Sequence, residues 1–447
     1  MSKLLTGNIR TIYLKYLATC FGSALIICIY SLVDMIAVGQ YEGPDGSAAL
    51  TTVLPLWSMI FSMGMLFGIG GSVLMSTSRG AGRKDRGDQY FTIASIGVMA
   101  VTVVAWVVVL FFDRPLLILF GAQDRFLTVA LRYVFWIKLT LPLFILSPFA
   151  SAFIRNDHAP GLATIAVVLG GGFNIFGDIF FVFTCDMGAS GAGLATALGQ
   201  CIASAILAIH FFTKKCQLRF VRPKHFFHRT WWIVVTGFSS FIVNIAMGVL
   251  ATLFNNQIMV YADASALAVY GVASNVSALV QSCGDGVGQA AQPILSENYG
   301  AKLNKRVTQT LWLGILTVAL LGSIFTALTV IFPTPLVNLF MSASPEVLEI
   351  APAILRVYFI SFAFLPFNIF AAHFFQAVMA ARTSLFLSIL RGVALSGVLI
   401  YLLPLFFGVD ALWWTMPAAE LCTAALAIIC MWRHSRNHLS VPKKAAY

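Results

Sequence analysis

Three polar side chains in the first half of the sequence lie within apolar runs and are of types that can bind a cation. Asp34 lies near the end of a long apolar run. Asn174 and Asp178 lie four residues apart in another, so they share one face of a helix. An ionisable group inside a bilayer costs about 2.5–3.5 kcal/mol on insertion scales, so a carboxylate there indicates a function unless it simply ends the helix at the water interface.

The chemistry of these groups suits either a hard cation or a proton. The Asn174 carbonyl oxygen and the carboxylates of Asp34 and Asp178, with a hydroxyl from Thr196, would form an all-oxygen site suited to Na⁺. Alternatively, two neighbouring acids in a poorly hydrated environment resist being ionised together, so one of them carries a proton near neutral pH. The residue types leave both possibilities open.

The composition predicts that these residues belong to a membrane protein. Of the 447 residues, 59% are hydrophobic and only 10% are charged, whereas soluble domains carry about 25% charged residues. The chain contains about twelve apolar segments of the roughly 20 residues needed to span a bilayer. These segments leave no room for a soluble domain.

The formal net charge of +11 is explained by topology and does not indicate a nucleic-acid partner. Most of the 28 Lys and Arg fall in every second connection or at the termini, including Lys443 and Lys444, and the basic stretch 213–230 is the longest of these connections. The alternate connections, such as those around Asp186 and Asp410, carry almost none. This positive-inside bias predicts that both termini are cytoplasmic.

An internal repeat divides the predicted helices into two sets of six. Gly64 and Gly68 recur 220 positions later as Gly284 and Gly288, and other matches follow at the same offset. Because six is even, both copies enter the membrane from the same side, so the predicted pseudo-two-fold axis runs along the membrane normal. We therefore predict an all-α polytopic membrane protein with twelve transmembrane helices in two six-helix lobes. The N-lobe is 1–212, a cytoplasmic basic linker is 213–230, and the C-lobe is 231–447.

The repeat does not extend to the charged residues. When the halves are aligned through Ile36 and Ile258, Asn256 stands opposite Asp34, and no acid stands opposite Asp178. The second half offers other polar residues, which we predict to line a substrate cleft near the midplane between the lobes. These candidates are Asp285, Gln289, Gln292, Arg391 and Glu420. A simpler interpretation of two of them is an ion pair between Asp285 and Arg391.

No pattern in the sequence indicates an enzyme. The chain has no H-E-x-x-H, no G-x-S-x-G and no clustered histidines. Its eight cysteines are scattered and lack metal-ligand spacing. We expect neither catalytic residues nor a cofactor.

A set of short motifs runs along the whole chain. The motifs are Tyr30 with Asp34, Arg79-Gly80-Ala81-Gly82, Asn174 with Asp178, the segment 191–196, the segment 292–301, and Trp413-Trp414 with Pro417 and Glu420. No single motif is specific, but the set occurs in order and on the expected helices. Over essentially its whole length the sequence therefore resembles the bacterial branch of the multidrug and toxic compound extrusion (MATE) family.

The resemblance implies a V-shaped cleft and a cation-coupled antiporter that exports amphipathic, often cationic, drugs or toxins by alternating access. The coupling ion would be Na⁺ or H⁺, bound at Asp34, Asn174, Asp178 and Thr196, with Tyr30 beside Asp34. The expected partners are a small amphipathic molecule and the lipid bilayer. We expect a monomer in the bacterial cytoplasmic (inner) membrane.

Lipid-linked saccharide flippases have a similar fold, but they would be expected to carry a strongly cationic cleft and often extra helices.

Members of the MATE family also often carry a proline about fifteen residues before the acid of helix 1, where this chain has Thr19 and no proline. A proline hinge is therefore not expected here, and Gly22 offers a softer one.

Overall fold

The computed structural model describes residues 3–122, 124–262, 264–340 and 345–439, and all the regular structure in these residues is helical. Twelve of the helices described are long and apolar enough to cross a membrane. Helices suit this environment because every backbone polar group inside a bilayer must be hydrogen-bonded within the protein. The predicted all-α, multi-pass fold with twelve spans is confirmed.

The first nine spanning helices run with few breaks. Their bounds are α1 Ile9–Glu42, α2 Pro44–Gly80, α3 Lys84–Leu119, α4 Asp124–Asn156, α5 Pro160–Gly177, α6 Ala189–Phe212, α7 Phe226–Tyr261, α8 Ala264–Gly300 and α9 Asn304–Ile331. A π-helical segment, Asp178–Thr184, continues α5. Short helices at Lys3–Thr6 and Pro333–Phe340 lie outside the spans.

The last three spans are interrupted. In α10, Pro345–Tyr358 and Leu365–Ala377 are joined by a 3₁₀ turn, Phe359–Ala363. In α11, Ala381–Ile389 and Leu395–Phe407 flank a π-helical segment, Leu390–Ala394. The last, α12, starts as a 3₁₀ turn, Val409–Trp414, continues as Thr415–His434 and ends in a π turn, Ser435–Leu439.

The chain forms two compact units, and both boundaries fall within helices. The first unit is Ala18–Ile245, and the second combines Met1–Leu17 with Ala246–Tyr447. The start of α1 thus belongs to the second unit, and the first half of α7 to the first. The division into an N-lobe 1–212, a linker 213–230 and a C-lobe 231–447 places its boundaries elsewhere and stays a prediction.

The same close helix crossing occurs within each unit, at the glycines that revealed the repeat. A Cβ atom on Gly64 of α2 would lie 2.8 Å from Pro148 Cγ of α4, and one on Gly284 of α8 would lie 3.2 Å from Pro366 Cα of α10. Contacts this short favour glycine at both positions, which lets neighbouring helices approach closely. The repeated glycines therefore mark a repeated packing contact.

The ends of α2 and α8 also match. The Arg83 N–H donates to Ser78 O, and the Leu303 N–H donates to Asn298 O, each at 2.9 Å. These are Schellman caps, in which the residue before the donor has a left-handed backbone. That residue is Gly82 (φ 75°) after α2, but Lys302 (φ 57°) after α8.

The segment between α6 and α7 lies against α3 and the end of α4. The Gln217 N–H donates to Asp157 Oδ2 at 2.9 Å, and the Val221 N–H donates to Thr92 Oγ1 at 3.0 Å. Leu218 between them is buried. The chain then turns at His225, whose φ is 53°, and α7 begins. The basic residues of 213–230 are therefore held close to α3.

Candidate functional site

The residues predicted to bind a cation meet in the interior of the first unit, where α1, α4, α5 and α6 come together. Asp34 comes from α1, Asn174 and Asp178 from α5, and Thr196 from α6. Asp178 is fully buried, and Asp34 is 9% exposed. Both carboxyl groups therefore lie away from bulk water.

Small residues let these helices approach. A Cβ atom on Gly170 of α5 would lie 2.6 Å from Gly199 O of α6, and one on Gly177 would lie 2.8 Å from Ala195 Cβ. The helix geometry changes immediately after Gly177, because Asp178 opens the π-helical segment. Single π turns inside α-helices occur frequently at functional sites.

A chain of hydrogen bonds connects the site. Asp34 accepts a hydrogen bond from the Tyr133 hydroxyl of α4, and Thr196 Oγ1 lies 3.5 Å from its other oxygen. The Asn174 amide donates to Thr196 Oγ1 at 3.0 Å. The Asp34 and Asp178 carboxyl groups lie within hydrogen-bonding reach of each other when one carries a proton. The four predicted residues therefore form one contiguous cluster.

Three oxygen atoms in this cluster lack a hydrogen-bond donor among the described residues. They are Asn174 Oδ1 and both carboxylate oxygens of Asp178. Leaving a buried acceptor unsatisfied costs about 1–3 kcal/mol, and more when it is charged. Within the described ranges, neither Asp34 nor Asp178 forms an ion pair with a basic side chain. All the atoms that this cluster offers as ligands are oxygens, so it fits either a proton or a hard cation such as Na⁺.

The two tyrosines near Asp34 differ in their contacts. Tyr30, which the resemblance places beside Asp34, lies one helical turn before it, and a Cβ atom on Gly171 would lie 2.9 Å from its ring. The hydrogen bond to Asp34 comes instead from Tyr133, which the sequence analysis missed. Tyr133 lies close to Phe135 and Trp136 in a stretch of α4 where aromatic residues are common, so no local signal distinguishes it.

The candidate cleft residues of the second unit fall into separate hydrogen-bonded groups. Glu420, fully buried, accepts hydrogen bonds from Arg391 Nε and Asn368 Nδ2, each at 2.6 Å. Gln292 Nε2 donates to Gln376 Oε1 at 3.3 Å. Gln289 is half-buried. That these residues line a substrate cleft stays a prediction.

The expected pair between Asp285 and Arg391 is wrong. His373 Nε2 lies 3.1 Å from Asp285 Oδ1, and Arg391 pairs with Glu420. The reason is the close crossing of α8 and α10, where Gly288 leaves room for the His373 ring. This crossing brings the imidazole to Asp285, one turn earlier on α8.

A second buried cluster, at the ends of α2, α4 and α6, is already neutralised. Asp157 accepts from Arg79 Nη1 at 2.7 Å and lies 2.9 Å from His210 Nε2. Burial raises the pKa of Asp157, but hydrogen bonds from His210 and the Gln217 amide, with the Arg79 charge, outweigh it and hold the pKa below its ordinary value. Asp157, His210 and Cys216 have the proximity of metal ligands, but protein donors already occupy both Asp157 oxygens, so we assign no metal here.

Comparison with known proteins identifies the family. The family model MatE matches residues 19–180 and 237–402, which together exceed half of the chain. The chain belongs to the MATE family. Members of the MATE family are membrane transporters and not enzymes. The family model matches once in each half of the chain, which agrees with the internal repeat of the sequence.

Two relatives match nearly the whole chain of this MATE transporter. It is 24% identical to the multidrug export protein MepA of Staphylococcus saprophyticus over 430 residues, 94% of this chain and 92% of that protein. It is 24% identical to MepA of Staphylococcus aureus over 415 residues, 91% and 90% of the two chains.

The solved structures show the same fold at low identity. An outward-facing multidrug resistance MATE family transporter of the MOP superfamily has a TM-score of 0.89 at 20% identity, covering 97% of this chain and 98% of that chain. A MOP superfamily transporter from Pyrococcus furiosus has a TM-score of 0.90 at 19% identity, covering 98% of each chain.

Proposed function

We propose that this MATE transporter exports amphipathic, often cationic, compounds in exchange for an inward-moving cation that binds at Asp34 and Asp178. The similarity to relatives named multidrug export proteins supports the substrate class. The observation that carries the cation site is the pair of buried carboxylates, with both Asp178 oxygens and Asn174 Oδ1 lacking donors in the described part of the chain. Such a pair needs an added positive charge.

The coupling ion is H⁺ or Na⁺. A proton shared between Asp34 and Asp178 would remove one of the two neighbouring charges. A Na⁺ ion would take oxygen ligands from these acids, from Asn174 and from Thr196. Either ion neutralises the same pair of carboxylates, and no cofactor is needed.

Coupling follows if occupation of the site by the cation and occupation of the protein by drug disfavour each other during alternating access. A cation moving inward down the membrane potential releases about 2.3 kcal/mol per charge for each 100 mV. At about 1.4 kcal/mol per factor of ten, this offsets a roughly fiftyfold gradient of an uncharged substrate. A monovalent cationic substrate that leaves in exchange cancels the movement of charge, so its efflux with one cation per cycle is driven by the concentration gradient of that cation.

We place the protein as a monomer in the bacterial inner membrane, with both termini in the cytoplasm. The relatives are bacterial, and the basic connections alternate as the positive-inside rule requires. Two of the basic residues behind this orientation, Lys443 and Lys444, lie outside the described residues.

Dye efflux from proteoliposomes under separately imposed Na⁺ and pH gradients tests the proposal. We expect one gradient to drive efflux by the unmodified protein, and Asp34→Asn to abolish that drive. Asp85→Asn is the matched control, because Asp85 is an exposed acid at the start of α3. Undiminished gradient-driven efflux by Asp34→Asn would refute the cation site. Stimulation by neither gradient, with flipping of lipid-linked saccharides instead, would favour the flippase alternative.

A further inference from the structure

Two arginines at one end of the first unit lie over the same aromatic ring, that of Tyr90. The guanidinium Cζ of Arg86, at the start of α3, lies 5.9 Å from the centroid of the Tyr90 ring, and that of Arg229, in the first turn of α7, lies 5.4 Å from it. Tyr90 is buried, Arg229 is half-buried and Arg86 is exposed. We call Arg86, Arg229, Tyr90 and Gln89 the double-arginine site.

Neither arginine has an acidic partner in the described part of the chain. Arg229 Nη1 donates to the neutral side-chain oxygen of Gln89, and Arg86 Nη2 lies 3.4 Å from the Tyr90 hydroxyl. Two positive charges are therefore close together with only neutral acceptors. Each guanidinium has five N–H donors, so most of these donors remain available to an anion.

A neighbouring arginine on the same unit shows the contrast. Arg79 pairs with Asp88 at 2.9 Å and with Asp157 at 2.7 Å. Among the described residues, carboxylates pair with this arginine of the region but not with Arg86 and Arg229. The double-arginine site therefore carries positive charge that an anion from outside the protein can neutralise.

The surroundings of the double-arginine site match the headgroup level of a membrane. Phe227 and Trp231 at the start of α7 are 88% and 65% exposed, and aromatic side chains concentrate at membrane–water interfaces. Arg222 and Lys224, just before α7, are also exposed. Positive charge and exposed aromatic surface therefore adjoin where the α7 span begins.

We propose that the double-arginine site binds the phosphate of an anionic phospholipid in the surrounding leaflet, which the distribution of basic residues assigns to the cytoplasmic side. Phosphate accepts paired hydrogen bonds from guanidinium groups, and one phosphate can neutralise both arginines. The acyl chains would lie against the exposed aromatic side chains of Phe227 and Trp231. Basic pockets at this depth bind lipid headgroups in other membrane proteins.

Lipid binding is measured on the purified full-length protein by thermal unfolding, with phosphatidylglycerol titrated into phosphatidylcholine-containing detergent micelles. The unmodified protein should be stabilised by phosphatidylglycerol and not by more phosphatidylcholine, because a ligand of the folded state raises the unfolding temperature. Arg86→Gln with Arg229→Gln should weaken the apparent affinity for phosphatidylglycerol about tenfold.

The matched control is Arg83→Gln with Lys84→Gln, which removes the same charge from exposed residues at the start of α3. We expect less than about a twofold change for this control, since surface charges act diffusely and are screened. An equal loss in both double variants would overturn the site in favour of general surface charge. Equal stabilisation by inorganic phosphate alone would assign the site to a soluble anion and overturn the lipid proposal.

A double variant that keeps both positive charges distinguishes a loss of phosphate binding from a folding defect. Arg86→Lys with Arg229→Lys preserves both positive charges but removes the planar fork, and should give a loss between those of the glutamine variant and the control. If the unmodified protein does not distinguish phosphatidylglycerol from phosphatidylcholine, the proposal fails whatever the variants do. This measurement does not use efflux, so the result for the lipid site does not depend on whether the proposed cation site is correct.

Discussion

The Asp34–Asp178 site of the first unit and the Glu420 site of the second unit treat buried charge in opposite ways. In the first unit, Asp34 and Asp178 lie together without a basic partner among the described residues. In the second unit, the buried Glu420 is paired with Arg391 at 2.6 Å and accepts a further hydrogen bond from Asn368. A neutralised pair is complete without a ligand, whereas an unpaired set of acids needs an external cation. The difference supports the placement of the proposed cation site in the first unit.

The contrast lies in the side chains, because the helical framework recurs. In α5 and α11 alike, the charged residue lies in a π-helical segment, Asp178 in one and Arg391 in the other. In α11 the Ser396 hydroxyl donates to Arg391 O at 2.6 Å, five residues earlier. Both helices thus carry a charged residue in a locally widened segment, and the two charges have opposite signs.

The largest effect that the contrast predicts is on coupling in the first unit. Asp178→Asn should abolish gradient-driven efflux, because it removes one of the two acids that a cation requires. Thermal unfolding should show that the variant is as stable as the unmodified protein or more stable, since a buried carboxylate without donors is lost. A variant that was inactive because it was clearly less stable would contradict this account and assign Asp178 a structural role.

The second unit should respond to a charge-removing substitution in the opposite way. Arg391→Met leaves Glu420 buried without its partner and should destabilise the protein by about 3–5 kcal/mol. Adding Glu420→Gln should recover most of this loss, because it also removes the unpaired charge. Chemical unfolding in detergent measures both changes. If Arg391→Met were harmless, the Glu420 site would not be the self-neutralised pair that the comparison requires.

The sequence predicts part of the first-unit site because some of its signals are local. An acid inside an apolar run and an Asn–Asp pair four residues apart can be recognised in one helix, and the structure brings Asp34, Asn174 and Asp178 together. The partner of Asp285 could not be predicted, because it depends on which helices cross at Gly288. The π-helical segments have no compositional mark, and the unit boundaries fall within uninterrupted apolar runs.

Tyr133 tests the contribution of a residue that only the structure revealed. Tyr133→Phe removes the hydroxyl that donates to Asp34, and a hydrogen bond to a charged group contributes about 1.5–3 kcal/mol. We expect the apparent affinity for the coupling cation to change by roughly tenfold or more, measured as the cation concentration that gives half-maximal efflux.

Tyr30→Phe is the matched control, because Tyr30 lies beside the same acid and packs on α5 through its ring. This substitution keeps the ring and removes only the hydroxyl, so efflux should keep its cation dependence. Equal effects of the two substitutions would mean that the site responds to the general polarity around Asp34 and not to one directed hydrogen bond.

The smallest predicted effect concerns the matching helix ends. Gly82 and Lys302 occupy the same left-handed position after α2 and α8, and this conformation costs a non-glycine residue about 1 kcal/mol. Lys302→Gly should therefore raise the free energy of unfolding by about this amount, and Gly82→Ala should lower it similarly. Lys302→Gln, which keeps a side chain and removes the charge, should change little because Lys302 is exposed. If the glutamine variant were as stabilising as the glycine variant, charge and not backbone strain would distinguish the two helix ends, and the framework of the two units would be even more alike than the φ angles indicate.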